Sequence, residues 1–347
     1  MHKSKNSFFV ESFKTIAAAE WNDLLPKLIG NRQSCTWDNI QYYSNLFNTK
    51  NISFIIKDIE KKVVGIVPLG LCSGKKKTFS FGGSSCPSPL YLNSFNPSQK
   101  RNFLIFVKDY ILQLSKKLKI KKYFVEKHPI CFIKNEFPII TSENQFEFNF
   151  WYSKQVVHNT FILDLSLTKD NLIRNLSKYH RRNIFRSKKK NLSIKIFDRN
   201  TDKLLIKKIF KKFKKAHFDS AGKKTRPDVT WRNMEQQLSN NSAKLFVIYL
   251  DDKIEISYLY CGTYNGFAWG WSQVNIDKFE KEFMPRHLLE WEAISYFKES
   301  NFRYYELGER YYEQYNFKPT KKELTISDFK EKYGSSMYPK VVYEINL

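Results

Sequence analysis

The chain has 347 residues, 42% of them hydrophobic, enough apolar material for roughly two ordinary domains and too much for a disordered polypeptide. It carries 59 Lys and Arg against 34 Asp and Glu, a net charge of +25. That balance favours polyanionic partners, among them tRNA, a nucleotide-linked substrate, coenzyme A phosphates and an anionic membrane surface.

The charge is spread along the chain beside abundant Lys, Asn, Ile and Phe, so composition accounts for part of it. No apolar run approaches the ~20 residues of a membrane span. Met1 to Asn6 are polar and basic, without a signal-like apolar stretch. A cytoplasmic protein is expected, with peripheral inner-membrane contact left open. Cys35, Cys72, Cys86, Cys131 and Cys261 show neither CxxC spacing nor a cluster with His, which suits buried thiols rather than a metal site.

Ala17 to Ile29 reads as a helix with Trp21, Leu24, Leu25 and Leu28 on one face, and Trp37 to Phe47 as a second. Strands follow at Asn51 to Asp58, Val63 to Leu71 and Lys77 to Gly83. The stretch Gly82 to Tyr91, rich in turn formers, reads as a loop long enough to carry substrate contacts. Arg101 to Leu118 is helical and Lys121 to Lys127 a strand. Phe132 to Gln155, broken by Pro138, reads as strands and connections.

The second half opens with a strand, Thr160 to Leu165, and a helix capped by Thr168 that runs to Lys190. Leu192 to Phe197 alternates as a strand. Lys203 to Phe218 is amphipathic, with Ile206, Ile209, Phe210, Phe213 and Ala216 on one face. Asp228 to Leu238 is a further helix. Strands at Lys244 to Leu250, Ile254 to Gly262 and Phe267 to Gln273 turn at Asp251-Asp252 and Asn265-Gly266. A helix from Pro285 to Ser300 and an aromatic strand from Phe302 to Gly308 follow.

The first half repeats the later part of this order. FIIKDIEKKVVGIVPLGLC (Phe54 to Cys72) echoes FVIYLDDKIEISYLYCG (Phe246 to Gly262). The expectation is two copies of one α/β unit, residues 1–155 and 156–347, each a mixed sheet flanked by helices.

Four stretches carry a likeness to a known family. They are LSKYHRRNIFRSKKKNLSIKIFD (Leu176 to Asp198), FAWGWSQ (Phe267 to Gln273), MPRHLLEWEAISYFKESNFRYYELG (Met284 to Gly308) and DFKEKYG (Asp328 to Gly334). In this order they resemble the tandem-domain, Fem-type aminoacyl and acyl transferases of the GCN5-related N-acetyltransferase (GNAT) superfamily. The resemblance implies an α/β fold of two tandem acyl-CoA N-acyltransferase-like domains. It also implies amide formation, in which an amine on a cell-envelope precursor, an amino sugar or a peptidoglycan peptide, attacks an activated acyl carbonyl. The implied donor is acyl-CoA, such as acetyl-CoA, or aminoacyl-tRNA, and no metal is implied.

Such chemistry needs alignment, proton removal and oxyanion stabilisation, and no enzyme nucleophile. The chain has no GxSxG motif. The family's phosphate loop, Arg/Gln-x-x-Gly-x-Gly/Ala, is absent before the long helix, where the chain reads EKEFMPRH, and no extended heptad arm interrupts the second half.

Lys330 matches the lysine that the resemblance sets near the tetrahedral intermediate, and Phe329 would line the site beside it. Glu306, at a strand end, is either a general base or a surface charge paired with Arg303 or Arg310. Arg182 and Arg186 sit one turn apart on the basic helix, with Arg181 beside them, and suit a forked grip on phosphate. The lysines around them suit solvent, and His180 reads as a helix-surface or packing histidine rather than a base. Trp271 and Ser272 read as pocket residues and Trp269 as core. Arg286 opens the long helix, where N–H groups favour an anion.

The rival from another class is a non-catalytic, basic RNA-binding protein on a duplicated α/β unit, with steeply salt-dependent binding. A weaker one is a peripheral membrane scaffold using the Lys207 to Lys215 helix face.

Overall fold

The computed structural model of the chain describes residues 8–12, 18–74, 77–131, 139–140, 151, 154–313 and 318–347. Most of the strands expected between Phe132 and Gln155, Pro138 included, lie outside the described residues. The chain forms two units, Met1–Val157 with Pro339–Leu347, and His158–Tyr338.

In chain order the first unit holds β1 (Phe8–Ser12), α1 (Ala18–Leu24), β2 (Leu28–Ile29), α2 (Trp37–Leu46), β3 (Lys50–Asn51), β4 (Phe54–Asp58) and β5 (Val63–Val67). It continues with β6 (Gly70–Cys72), β7 (Thr78–Phe79), β8 (Cys86–Pro87), β9 (Leu90–Leu92), α3 (Pro97–Leu118), β10 (Lys122–Lys127), β11 (Ile130–Cys131) and β12 (Ile139–Ile140).

One sheet runs β1-β4-β5-β9-β2, and a second set runs β10-β7-β6-β3 with β8 beside β10. The stretch expected as a loop at Gly82 to Tyr91 is instead built into both sheets: β8 lies along β10, and β9 along β5 and β2. Its Cys86, Leu90 and Tyr91 side chains are buried, which outweighs the turn formers around them. The helix α3 starts earlier than expected, because Asn96 and Gln99 close a reciprocal capping box ahead of Pro97.

The second half of the chain holds β13 (Lys154–Asp164), α4 (Lys169–Asn175), α5 (Lys178–Lys188), β14 (Leu192–Phe197), α6 (Lys203–Ala221), α7 (Asp228–Ser239), β15 (Ala243–Leu250) and β16 (Ile254–Tyr264). Then come β17 (Phe267–Asn275), α8 (Asp277–Phe283), α9 (Pro285–Glu299), β18 (Tyr304–Arg310), α10 (Lys321–Glu331) and β19 (Ser336–Asn346). Strand β19 had no counterpart in the sequence reading. Its Val341–Asn346 segment pairs antiparallel with β10 of the first unit, burying Val341, Tyr343 and Ile345.

The sheet of the second unit runs β14-β15-β16-β17-β18-β13. Asp251, Asp252, Asn265 and Gly266 all take positive φ, the left-handed pairs that tight hairpin turns require. The single helix expected from Thr168 to Lys190 is two. Leu176 turns extended, and the Ser177 hydroxyl then accepts from His180 N–H at 3.2 Å to start α5.

One face of this sheet buries Ile184 of α5, Leu289, Trp291 and Phe297 of α9, and Tyr333 just after α10 against Leu259, Cys261 and Tyr305. The other face carries α6 and α7, whose Phe210, Phe213 and Trp231 surround Tyr258 and Tyr260.

The echo seen in the sequence has a structural counterpart. Both echoed stretches form antiparallel hairpins, β4–β5 and β15–β16, and both ladders slip at the same point of the echo, between Ile56 and Lys57 and between Ile248 and Tyr249. A β-bulge is a specific local feature, and its recurrence supports an internal repeat.

The last residue of DFKEKYG is also explained. Gly334 has φ +73°, and a Cβ there would sit 2.4 Å from the Asn175 carbonyl oxygen. Gly334→Ala is expected to cost about 2 kcal/mol, from left-handed strain plus displacement of α4, read as a lower denaturant midpoint at unchanged slope.

Candidate active site

The site grows from the way β17 leaves its neighbour. On one side β17 pairs with β16 over its whole length, from Phe267 to Asn275. On the other side it runs parallel to β18 for only three pairs, ending at Trp269↔Glu306. Immediately beyond that pair both strands bulge, at Trp271 against β16 and at Leu307 against β13. Among the described residues, the β18-facing edge of Gly270 to Asn275 therefore has no strand partner, and bulges are a common device for re-aiming side chains beside a site.

On the α9 side of this opening lies Lys330, on the last turn of α10. A Cβ on Gly308 would be 2.5 Å from Lys330 Nζ, so the bare glycine, at φ +109°, lets the ammonium reach the backbone of β18. Burial pulls the Lys330 pKa below the ordinary lysine value, opposed by Glu290, Glu306 and Glu309. Among the described residues, no side chain hydrogen-bonds or ion-pairs with Nζ.

Glu290, buried on α9, accepts a 2.6 Å hydrogen bond from the Tyr305 hydroxyl. Burial pushes its carboxyl pKa up, against the pull of Tyr305 and Lys330. Tyr305 in turn sits 3.7 Å from Cys261 Sγ, a thiol that burial pushes well above its usual pKa. Cys261 is thus an inert core thiol and no nucleophile. Glu306 accepts a hydrogen bond from Thr160 Oγ1. Of the basic residues weighed beside Glu306, Arg303 pairs with Asp164, and Arg310 makes ion pairs with Asp328 and Glu331.

Beside Lys330 the rings of His180, His287, Phe329 and Tyr333 pack with centroids 4.5 to 5.4 Å apart. His180 and His287 are 1% and 4% exposed. Burial pushes the His180 pKa down to about 4 and that of His287 to about 3, the latter helped by His180 and Arg286. Both rings are held neutral, and among the described residues His287 Nδ1 has no hydrogen-bond partner. Of the two roles weighed for His180, helix surface and packing, its burial shows packing.

The opposite face carries a second polar cluster. Ser272 on β17 is in register with Tyr260, whose hydroxyl donates to the Met234 carbonyl of α7. Directly paired residues share a face, so Ser272 points toward α6 and α7. Its Oγ lies 2.9 Å from His217 Nε2 and receives a 3.2 Å hydrogen bond from Arg226 Nη2. Arg226 lies over the Trp231 ring. Burial, then the Arg226 charge, pushes the His217 pKa down to about 4.

The residues singled out from the sequence are only partly brought together. Lys330, Phe329 and Glu306 gather near the end of the β17–β18 pairing. Trp271 is half-buried against Tyr260 and Trp269. Arg286 pairs with Glu280 and lies over Phe329. Arg182 and Arg186 are exposed on α5 and Arg181 is half-buried there. They share that helix with two exposed rings, Tyr179 at 51% and Phe185 at 49%.

Sequence reading missed Glu290, His217 and Arg226. Glu290 carried one signal, a carboxylate between Leu289 and Trp291 on a helix buried over most of its length. His217 and Arg226 carried none, because their roles depend on contacts across 55 and 46 residues of sequence.

Among the described residues there is no cluster of His, Cys, Asp or Glu suited to a metal, and no helix long and apolar enough to cross a membrane. No family model matches the chain, and no curated protein matches it in sequence. Solved structures do match. FemX superposes with a TM-score of 0.64 at 11% identity, over 94% of this chain and 96% of that one. The C-terminal domain of a putative lysylphosphatidylglycerol synthetase from Agrobacterium fabrum gives 0.57 at 9%, over 88% and 86%. A tandem GNAT protein from the clavulanic acid biosynthesis pathway gives 0.53 at 12%, over 98% of each chain. At these identities the likeness speaks to the fold alone: the chain has the mixed α/β, two-domain fold of these tandem GNAT and Fem structures.

Proposed function

We propose that the chain is an amide-forming acyltransferase. It passes an acyl or aminoacyl group from acyl-CoA or aminoacyl-tRNA to an amino group of a cell-envelope precursor, an amino sugar or a peptidoglycan peptide. The observation that carries this reading is the Lys330 ammonium. It is held without an ion-pair partner among the described residues, at the point where β17 and β18 part.

A buried cation is costly unless something repays it, and the oxyanion of a tetrahedral intermediate would do so. Burial works against the charge of Lys330, and Glu290, Glu306 and Glu309 oppose that loss without an ion-pair contact. The donor carbonyl would lie along the unpaired edge of Gly270 to Asn275, and Trp271 and Phe329 would exclude water around it.

The exposed arginines of α5, interleaved with Tyr179 and Phe185, suit a nucleic-acid or nucleotide contact. They serve a tRNA-borne donor and equally the RNA-binding alternative. Purified protein is expected to transfer label from radiolabelled acetyl-CoA or charged tRNA to the amine of an amino sugar or stem peptide. Absence of a labelled amide from either donor, together with RNA binding of steep salt dependence, would move the assignment to RNA binding.

A further inference from the structure

We propose that Ser272 and His217 form the proton exit of this reaction, so that the acceptor amine enters from the α6–α7 face, opposite Lys330. The inference rests on the acyl-transfer reading above and adds to it the acceptor's side and the route of its proton.

A serine hydroxyl has one proton to donate and two lone pairs to accept with. At Ser272, Arg226 Nη2 fills one lone pair. The hydroxyl proton then points at His217 Nε2, 2.9 Å away, provided that this nitrogen is bare and the ring proton sits on Nδ1. The second lone pair of Ser272 is left for a substrate N–H. Ser272 lies three residues past the last β17–β18 pair, where β17 has no strand on its β18-facing edge among the described residues. Burial and the Arg226 charge keep His217 neutral at pH 7, so it is ready to receive a proton rather than already carrying one. Glu306, the other base considered, accepts a hydrogen bond from Thr160 and acts on Lys330 electrostatically.

The amine nitrogen gives its lone pair to the acyl carbon, forming the C–N bond and sending the carbonyl electrons to an oxyanion beside Lys330. As the nitrogen gains positive charge, its N–H proton passes to Ser272 Oγ, whose own proton passes to His217 Nε2. When the oxyanion collapses, the bond to the donor sulfur or ribose oxygen breaks, and the leaving group takes its electron pair and the proton from His217. The imidazolium is a transient stop, because burial and Arg226 both drive the proton off. Ser272 and His217 carry protons and form no covalent intermediate.

Two measurements test this. In 15N-histidine-labelled wild-type protein at pH 7, two-bond 1H–15N correlations should show His217 neutral with a bare Nε2. A ring protonated on Nε2, or an imidazolium, overturns the relay whatever the turnover. In transfer assays, Ser272→Ala and His217→Gln should lower kcat by about 100-fold or more at nearly unchanged acceptor KM. Added imidazole should restore part of the activity of His217→Ala, a rescue that a structural role would not give.

Wild-type transfer with His217→Gln within threefold of it, or an equal loss confined to Glu306→Gln, overturns the relay and leaves the acyl-transfer reading standing. No transfer by the wild type from either donor overturns both.

Discussion

Stability is expected to fall steeply between pH 6.5 and pH 4, ahead of ordinary acid denaturation. His180 and His287 sit in one ring cluster, with pKa values pushed down to about 4 and about 3 from an ordinary 6.5. The sign follows from linkage. Below pH 6.5 the unfolded chain takes up protons on these rings while the folded chain does not. The stability they leave intact above pH 6.5 is lost as pH falls toward the folded values.

At pH 5 each ring costs about 2 kcal/mol, roughly 4 kcal/mol for the pair, a large share of a typical 5–15 kcal/mol margin. Glu280 and Glu290, whose pKa values burial raises, gain protons in the folded state and offset part of the loss. The comparison with His180→Phe separates the contributions, because phenylalanine keeps a ring against Phe329 and Tyr333 and cannot titrate. Urea denaturation at pH 7.5 and pH 5 should show the variant losing about 2 kcal/mol less than the wild type across that interval. Equal losses in the two proteins would show that His180 is not held neutral.

Replacing Lys330 should trade function for stability. Lys330→Met is expected to lower transfer by about 100- to 1,000-fold, the usual effect of removing one preorganised oxyanion donor. It should also stabilise the fold by about 1 kcal/mol at neutral pH, since a buried charge gives way to an apolar chain of similar length. The pKa direction sets the window. The folded state depresses the Lys330 pKa, so the penalty is present at pH 7 and fades as pH rises through the folded value toward 10.5. The variant's advantage should therefore shrink in alkaline buffer.

Gly308→Ala tests the same geometry from the other side. Its Cβ would lie 2.5 Å from Nζ at φ +109°, so it should displace the ammonium and lower transfer while also costing stability. A Lys330→Met protein with wild-type transfer would remove Lys330 from the chemistry. One that is less stable at pH 7 would show that its charge is well paired in the fold.

The sequence by itself determined the order of the second unit from β13 to β18, apart from α8 and the division of α4 from α5. Periodicity located α6 by Ile206, Ile209, Phe210 and Phe213, which all bury, and Asn265-Gly266 located a hairpin because few residues adopt positive φ cheaply. It also exposed the duplication, since local turn and strand chemistry repeats with the fold. Lys330 was legible only through likeness to a family motif, because one lysine among Lys321, Lys322, Lys330 and Lys332 looks like any solvated charge.

Tertiary structure decided the rest. The short pieces at Cys86 and Leu90 became strands because distant partners bury them, and the pairing of β19 with β10 depends on a partner some 220 residues away in sequence. Glu290, His217 and Arg226 take their chemistry from burial and from neighbours across the sheet. Local sequence encodes which residues prefer which backbone. It does not encode which charges lose their water, and that loss sets the protonation of His217, His287 and Lys330.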